Sequence, residues 1–208
     1  MPLEMVYIVD ESDRVRASLG TLLTSVGHKS EHNKSGETFL EAAPRLVGGC
    51  ALVDLYLSGI DGLSVIHRLE AVNPGLPAIA MATSGTINTA RSAVRAGAID
   101  YLEKPFTPNL LLRSLAKALD FRRRTRKISD QRRQAQILTN RLTAREMEIF
   151  QFLAAGQSNK GIARQLNISS RTIEVHRAHI MEKLEAASLP AALQIALTAG
   201  VLNPHDED

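Results

Sequence analysis

Along the first 120 residues the pattern of apolar and polar positions switches repeatedly between two periods. Short apolar runs at Met5–Val9, Ala51–Leu57, Ala78–Ala82 and Ile99–Leu102 each give way to a stretch with apolar residues at helical spacing. Those stretches are Arg14–Val26, Leu63–Val72, Thr86–Ala96 and Asn109–Leu119. A weaker strand at Lys29–His32, followed by Gly36–Ala42, fits between the first and second pairs. Continuous apolar runs of this length suit strands covered on both faces, and the βαβα order predicts a doubly wound parallel sheet of about five strands. Ligands of such sheets sit at the carboxyl ends of the strands, near a topological switch point.

From Leu142 the pattern is helical throughout. Thr143 and Glu146 form a capping box for a helix to about Ala154, stopped before Gly156. Ser158 caps a short helix through about Leu166, and Asn167-Ile168 makes a tight turn. Ser169 caps a longer helix ending near Leu184; Ser188 caps a fourth, with Pro190 in its first turn and Gly200 as its stop. A short helix, a tight turn and a longer helix make a helix-turn-helix, whose second helix enters the DNA major groove. On that helix Ile173, His176, Ile180 and Leu184 share one face, with the aliphatic ones packing inward. Thr172, Glu174, Val175, Arg177 and Ala178 project elsewhere. Glutamate can accept from a cytosine amino group, Val175 and Ala178 can meet a thymine methyl, and Arg177 can bind guanine or phosphate. Lys160, Arg171 and Thr172 suit phosphate.

Between these halves, residues 109–142 contain neither glycine nor proline, and Pro108 suits a helix start. The last helix of the first half can therefore run on through FRRRTRKISDQRRQAQIL as an exposed spacer. A flexible basic linker fits the same composition equally well. The reading is thus of three parts: residues 1–121, a spacer at 122–140, and residues 141–208.

Charge sharpens the division. Residues 1–120 hold 11 Lys and Arg against 13 Asp and Glu, whereas residues 121–208 hold 14 against 9. An acidic half joined to a basic half points the second toward a polyanion. The one cysteine, Cys50, opens an apolar run, reads as core packing and excludes an internal disulfide framework. With no long apolar run and no basic-then-apolar start, a cytoplasmic protein without membrane partners is expected.

Asp54 stands inside the apolar run ALVDLYL, where an ionised carboxylate is costly unless it is paired or reaches water. A strand-end aspartate capping the next loop is one account of it. Other strand ends supply a second. The first strand ends in Asp10-Glu11, the fourth in Thr83-Ser84, and the fifth leads to Lys104-Pro105. Three carboxylates that repel one another favour a divalent cation, and Mg²⁺ suits an all-oxygen site that keeps waters and a phosphate. A metal, an ammonium and a hydroxyl around one carboxylate are what phosphoryl transfer to that carboxylate requires.

The set LVDLYL-SGIDGL, MATSG and AGAIDYLEKPF resembles the receiver domain of bacterial two-component response regulators. The resemblance implies a flavodoxin-like fold with strand order 2-1-3-4-5. It implies that Asp54 accepts a phosphoryl group from a sensor histidine kinase, and that Mg²⁺ (Mn²⁺ can substitute) is held by Asp10, Glu11, Asp54 and the Tyr56 carbonyl. Thr83 and Lys104 would bind phosphoryl oxygens, Tyr101 would turn inward on activation, and the Lys104–Pro105 bond would be cis. The sequence departs from the family pattern at Glu11, usually aspartate; at Ser58, usually proline; and at Ser84, usually alanine or glycine.

The second half, with SNKGIARQLNISSRTIEVHRAHIMEKL, is similar to the DNA-binding domain of the LuxR/FixJ/NarL family, an all-α four-helix unit. Gly161 stands where a longer polar residue is common. The resemblance places Glu174, Val175 and Ala178 at bases and makes His176 either a phosphate contact or a partly buried packing residue. It makes the fourth helix, with Leu189, Leu193, Ala196 and Leu197, the dimerisation element on promoter DNA. Together the two resemblances imply a non-enzymatic response regulator that dimerises when phosphorylated, binds double-stranded promoter DNA and works with RNA polymerase to activate transcription. A rival is a DNA-binding regulator with a degenerate receiver that ignores phosphate. An aspartyl-phosphate hydrolase on the same sheet would need a carboxylate two residues beyond the nucleophile, where Tyr56 stands.

Overall fold

The computed structural model describes residues 4–83 and 86–202. Ser84, one of the departures above, lies outside the described residues. The chain divides into two compact units, 1–126 and 127–208.

The first unit is a five-stranded sheet of order β2-β1-β3-β4-β5, with every pairing parallel. Its strands are β1 (Met5–Val9), β2 (Lys29–Asn33), β3 (Cys50–Asp54), β4 (Ala78–Ala82) and β5 (Asp100–Glu103). Between them run α1 (Asp13–Ser25), α2 (Gly36–Ala42), α3 (Gly62–Val72) and α4 (Ile87–Arg95), and α5 (Pro108–Thr139) follows β5. The period-2 alternation of the strands sorts their side chains onto two cores. Tyr7, Val9, Ala51, Val53 and Ala80 pack with Phe39, Val65, Ile66 and Leu69 of α2 and α3. Val6, Ile8, Leu52, Ile79 and Met81 pack with Leu19 and Leu23 of α1 and Leu111 and Leu115 of α5. The third strand ends at Asp54, although the apolar run continues to Leu57. Leu55 and Leu57 are buried from the loop that follows, so burial rather than strand pairing accounts for the longer run.

The 32-residue α5 carries helical structure through the spacer to Thr139. In the second unit, the end of α5 precedes α6 (Ala144–Ala154), α7 (Asn159–Gln165), α8 (Ser170–Lys183) and α9 (Leu189–Ala199). Thr143, Ser158, Ser169 and Ser188 each accept a backbone N–H at their helix starts. Gly200 closes α9 at φ +77°, the left-handed conformation that glycine adopts without penalty. Leu138, Ile149, Phe150, Ile162, Ile173, Ile180 and Leu184 form the core of this unit. Ala196, expected on the pairing face of the fourth helix, is wholly buried in that core. Leu189 and Leu193 also pack partly against it, and Leu197 is exposed. Nearly every residue of α9 is small or apolar, so its periodicity does not reveal which face turns inward. No helix among the described residues is long and apolar enough to cross a membrane.

Candidate functional site

Strands β1 and β3 are neighbours in the sheet, but the chain travels through β2 between them, so the switch point lies where their carboxyl ends meet. Asp10 and Asp54 stand at those ends, and both are buried. Lys104 joins them. Its Nζ donates to Asp10 Oδ2 at 2.6 Å and to Asp54 Oδ2 at 2.9 Å. The lysine backbone is anchored beside them, because its N–H donates to the Ala82 carbonyl at the end of β4, and its bond to Pro105 is cis. The remaining Asp10 oxygen accepts the Ser12 N–H at 2.9 Å, and the remaining Asp54 oxygen accepts the Tyr56 N–H at 3.3 Å. One ammonium thus faces two carboxylates, and the pocket keeps an unbalanced negative charge.

The start of α3 braces Asp54 from behind. A Cβ on Gly62 would lie 2.1 Å from the Asp54 carbonyl oxygen, so only glycine allows this approach of helix to strand end. Thr83 follows β4 directly and is exposed. The ring of Tyr101 is half-buried against the core, and its hydroxyl is buried without a hydrogen-bond partner among the described residues. Burial, with the nearby Glu103 carboxylate and Tyr56, raises that phenol's pKa above its ordinary value.

Glu11 takes a different course from Asp10. Its carboxylate accepts the Ser58 N–H, and hydrogen bonding to Ser58 holds it below the usual carboxylate range. Among the described residues, no group of three or more His, Cys, Asp or Glu side chains is gathered closely enough to hold a metal. The donor chemistry nevertheless fits Mg²⁺. Asp10 and Asp54 already converge on one cation, Lys104 Nζ, and every candidate ligand is an oxygen, as a hard divalent ion requires. Sequence reasoning missed Glu37, in the first turn of α2. Its Oε1 accepts the Ile60 N–H at 2.7 Å and so ties down the loop that follows Asp54; that bond lowers the Glu37 pKa. Its 23-residue separation from Ile60 leaves no local signal.

In the second unit the turn between α7 and α8 is tight, with Asn167 at φ +53°, and its Leu166 carbonyl accepts from Arg145. Ile173 and Ile180 face inward, whereas Arg171, Glu174, Val175 and Ala178 are exposed on α8. Lys160 is exposed in the first turn of α7. Thr172 and Arg177 are half-buried, and Thr172 is engaged with the Ser169 cap. His176 is half-buried, and its Nδ1 is buried without a partner among the described residues. Behind this face, Glu146 closes the capping box with Thr143 and binds Lys183 Nζ through both carboxylate oxygens, at 2.8 and 2.6 Å. Burial opposes its ionisation, but Lys183 and Thr143 outweigh that and hold its pKa down at about 2.

Residues 6–116 match the family described as the response regulator receiver domain, and residues 140–196 match the bacterial regulatory proteins of the luxR family. The transcriptional regulatory protein FixJ of Bradyrhizobium diazoefficiens is 36% identical over 201 residues, which cover 95% of this chain and 97% of that protein. FixJ of Rhizobium meliloti is 33% identical, over 94% of this chain and 96% of its own. Among solved structures, the response regulator StyR superposes with a TM-score of 0.81 at 33% identity, over 93% of this chain and 98% of that one. Full-length FixJ from B. japonicum gives 0.58 at 34% identity, over 96% and 98%.

Proposed function

The chain belongs to the response regulators that join a receiver domain to a luxR-family DNA-binding domain, and from that premise we propose that Asp54 is its phosphoacceptor. The observation that carries this reading is the pair of buried carboxylates at the switch point sharing Lys104. An Asp54 oxygen attacks the phosphorus of a phosphohistidine on the sensor kinase; the P–O bond forms as the P–N bond breaks, and the histidine, already protonated on its other ring nitrogen, leaves as neutral imidazole. Lys104 keeps its ammonium against the incoming phosphoryl oxygens, and the Thr83 hydroxyl donates to one of them. Asp10, Glu11, Asp54 and the Tyr56 carbonyl would hold Mg²⁺, which neutralises charge on the transferred group. Tyr101, half-buried with its hydroxyl already buried and unpartnered, completes its inward turn as Thr83 moves toward the phosphoryl group.

In the second unit, Glu174, Val175 and Ala178 read bases, while Lys160, Arg171 and Arg177 meet phosphates. Thr172 supports the same contact region, and His176 contributes through its other ring nitrogen. Phosphorylation promotes a homodimer that binds promoter DNA in the cytoplasm and engages RNA polymerase. Leu197 is an exposed apolar residue of α9 available for pairing.

The test is intact mass after incubation with Mg²⁺ and a small phosphodonor, for wild type and Asp54→Asn, with light scattering on the same samples. A gain of one phosphoryl group that requires Asp54 and brings dimerisation is expected. Wild-type protein that gains no mass, yet still binds promoter DNA, would instead establish a phosphate-independent regulator.

A further inference from the structure

In the loop after β3, three amides two residues apart donate to three different carboxylates. The Tyr56 N–H goes to Asp54 at 3.3 Å, the Ser58 N–H to Glu11, and the Ile60 N–H to Glu37 at 2.7 Å. The acids come from three separate places: the end of β3, the residue pair after β1, and the first turn of α2. Gly59 lies between the last two donors, and a Cβ there would come within 2.3 Å of Glu37 Oε1. The loop therefore rests on a row of acids along one edge.

These acids differ in what else they can bind. Asp54 and Glu11 belong to the proposed Mg²⁺ set, whereas Glu37 does not. Glu11 is exposed and is engaged by Ser58, while its neighbour Asp10 is buried on Lys104. Glu11 could offer its second oxygen to a cation, but it is not gathered with Asp10 and Asp54 closely enough to share one with them, so joining them draws it away from Ser58.

We propose that Glu11 is a latch between the β3–α3 loop and the metal. Without metal its carboxylate holds the loop through the Ser58 N–H; with metal it leaves the loop and joins Asp10 and Asp54. The bond from Ile60 to Glu37 persists in both states, which makes Glu37 a positioning residue for the loop. Ser58 thereby competes with the cation, and metal loading frees the loop at Ser58, between Tyr56, whose carbonyl would face the metal, and the Ile60 anchor. The latch rests on the Mg²⁺ site proposed above.

The experiment is a titration of the full-length protein with Mg²⁺, following amide hydrogen exchange at Ser58 and Ile60 by NMR and metal affinity by calorimetry. Ser58 exchange is expected to accelerate about tenfold as the metal saturates, with Ile60 unchanged. Ser58→Pro, which removes the N–H and the hydroxyl, should tighten Mg²⁺ binding by about three- to tenfold, and Ser58→Thr, which keeps both, should stay within about twofold of wild type. Unchanged Ser58 protection at Mg²⁺ saturation would overturn the latch and leave the metal site standing. Absence of any Mg²⁺ binding would overturn the metal site and the latch with it.

Discussion

Each unit contains a lysine held against buried carboxylate, and the two arrangements differ in their charge balance. In the first, Lys104 faces two acids, Asp10 and Asp54, whose side chains are 2% and 11% exposed. In the second, Lys183 faces one acid, Glu146, and Thr143 completes its hydrogen bonds. A balanced, fully bonded pair has little left to do beyond joining α6 to α8. The unbalanced set retains an uncompensated negative charge at a strand end, which can recruit a cation and accept an electrophilic phosphorus. On the proposed function, charge imbalance is what would separate the phosphoacceptor cluster from a structural one, although both rest on the same type of bond.

The largest effect that tests this contrast is Asp54→Asn. It should abolish the phosphoryl mass gain and promoter induction while changing receiver stability by no more than about 1 kcal/mol, because Lys104 keeps Asp10 and one repulsion disappears. Denaturant unfolding alongside the mass measurement checks both halves. Next come Lys104→Met and Lys183→Met, each expected to cost about 3–5 kcal/mol by leaving buried carboxylate unpaired. Mg²⁺ should recover part of the loss in Lys104→Met, where two acids can share the ion, and none in Lys183→Met. Thermal unfolding with and without Mg²⁺ would reveal a failure of this asymmetry.

A smaller effect follows from Glu146. Its pKa is about 2 in the folded protein and near 4.5 without its partners, so the folded form binds its proton less readily. Its stabilisation is complete above the ordinary carboxylate range and is lost as pH falls from about 5 toward 2, a span of about 2–3 kcal/mol. Glu146→Gln should lose that stabilisation at neutral pH and flatten the acid limb of the second unit's unfolding curve.

The central strands are legible in the sequence because both of their faces are buried, which leaves continuous apolar runs. The helix caps are legible because Ser or Thr acts through a backbone bond three residues away. The strand-end acids and Lys104 are legible for the same local reason: each follows directly from a recognisable strand. What the sequence conceals depends on distant partners. Glu146 is visible as a capping-box member, but its bond to Lys183 spans 37 residues. The reach of Glu11 to Ser58 spans 47 and leaves no periodicity to read. Ala196 is misplaced for another reason: in a helix apolar on nearly every side, only tertiary packing selects the buried face.

The smallest effect carries the same charge criterion into the second unit. Arg145 is paired with Glu148, and Arg141 with Glu185, whereas Lys160 and Arg171 form no ion pair among the described residues and stand exposed in the first turns of α7 and α8. If imbalance marks function here too, only the second pair releases counterions when DNA binds. Arg171→Gln should then weaken binding similarly on specific and unrelated sequences and reduce the slope of log K against log salt by about 1. Arg145→Gln should leave that slope unchanged, because its charge is already met by Glu148. Fluorescence anisotropy across a salt series measures both, and equal slopes for the two variants would confine the criterion to the receiver.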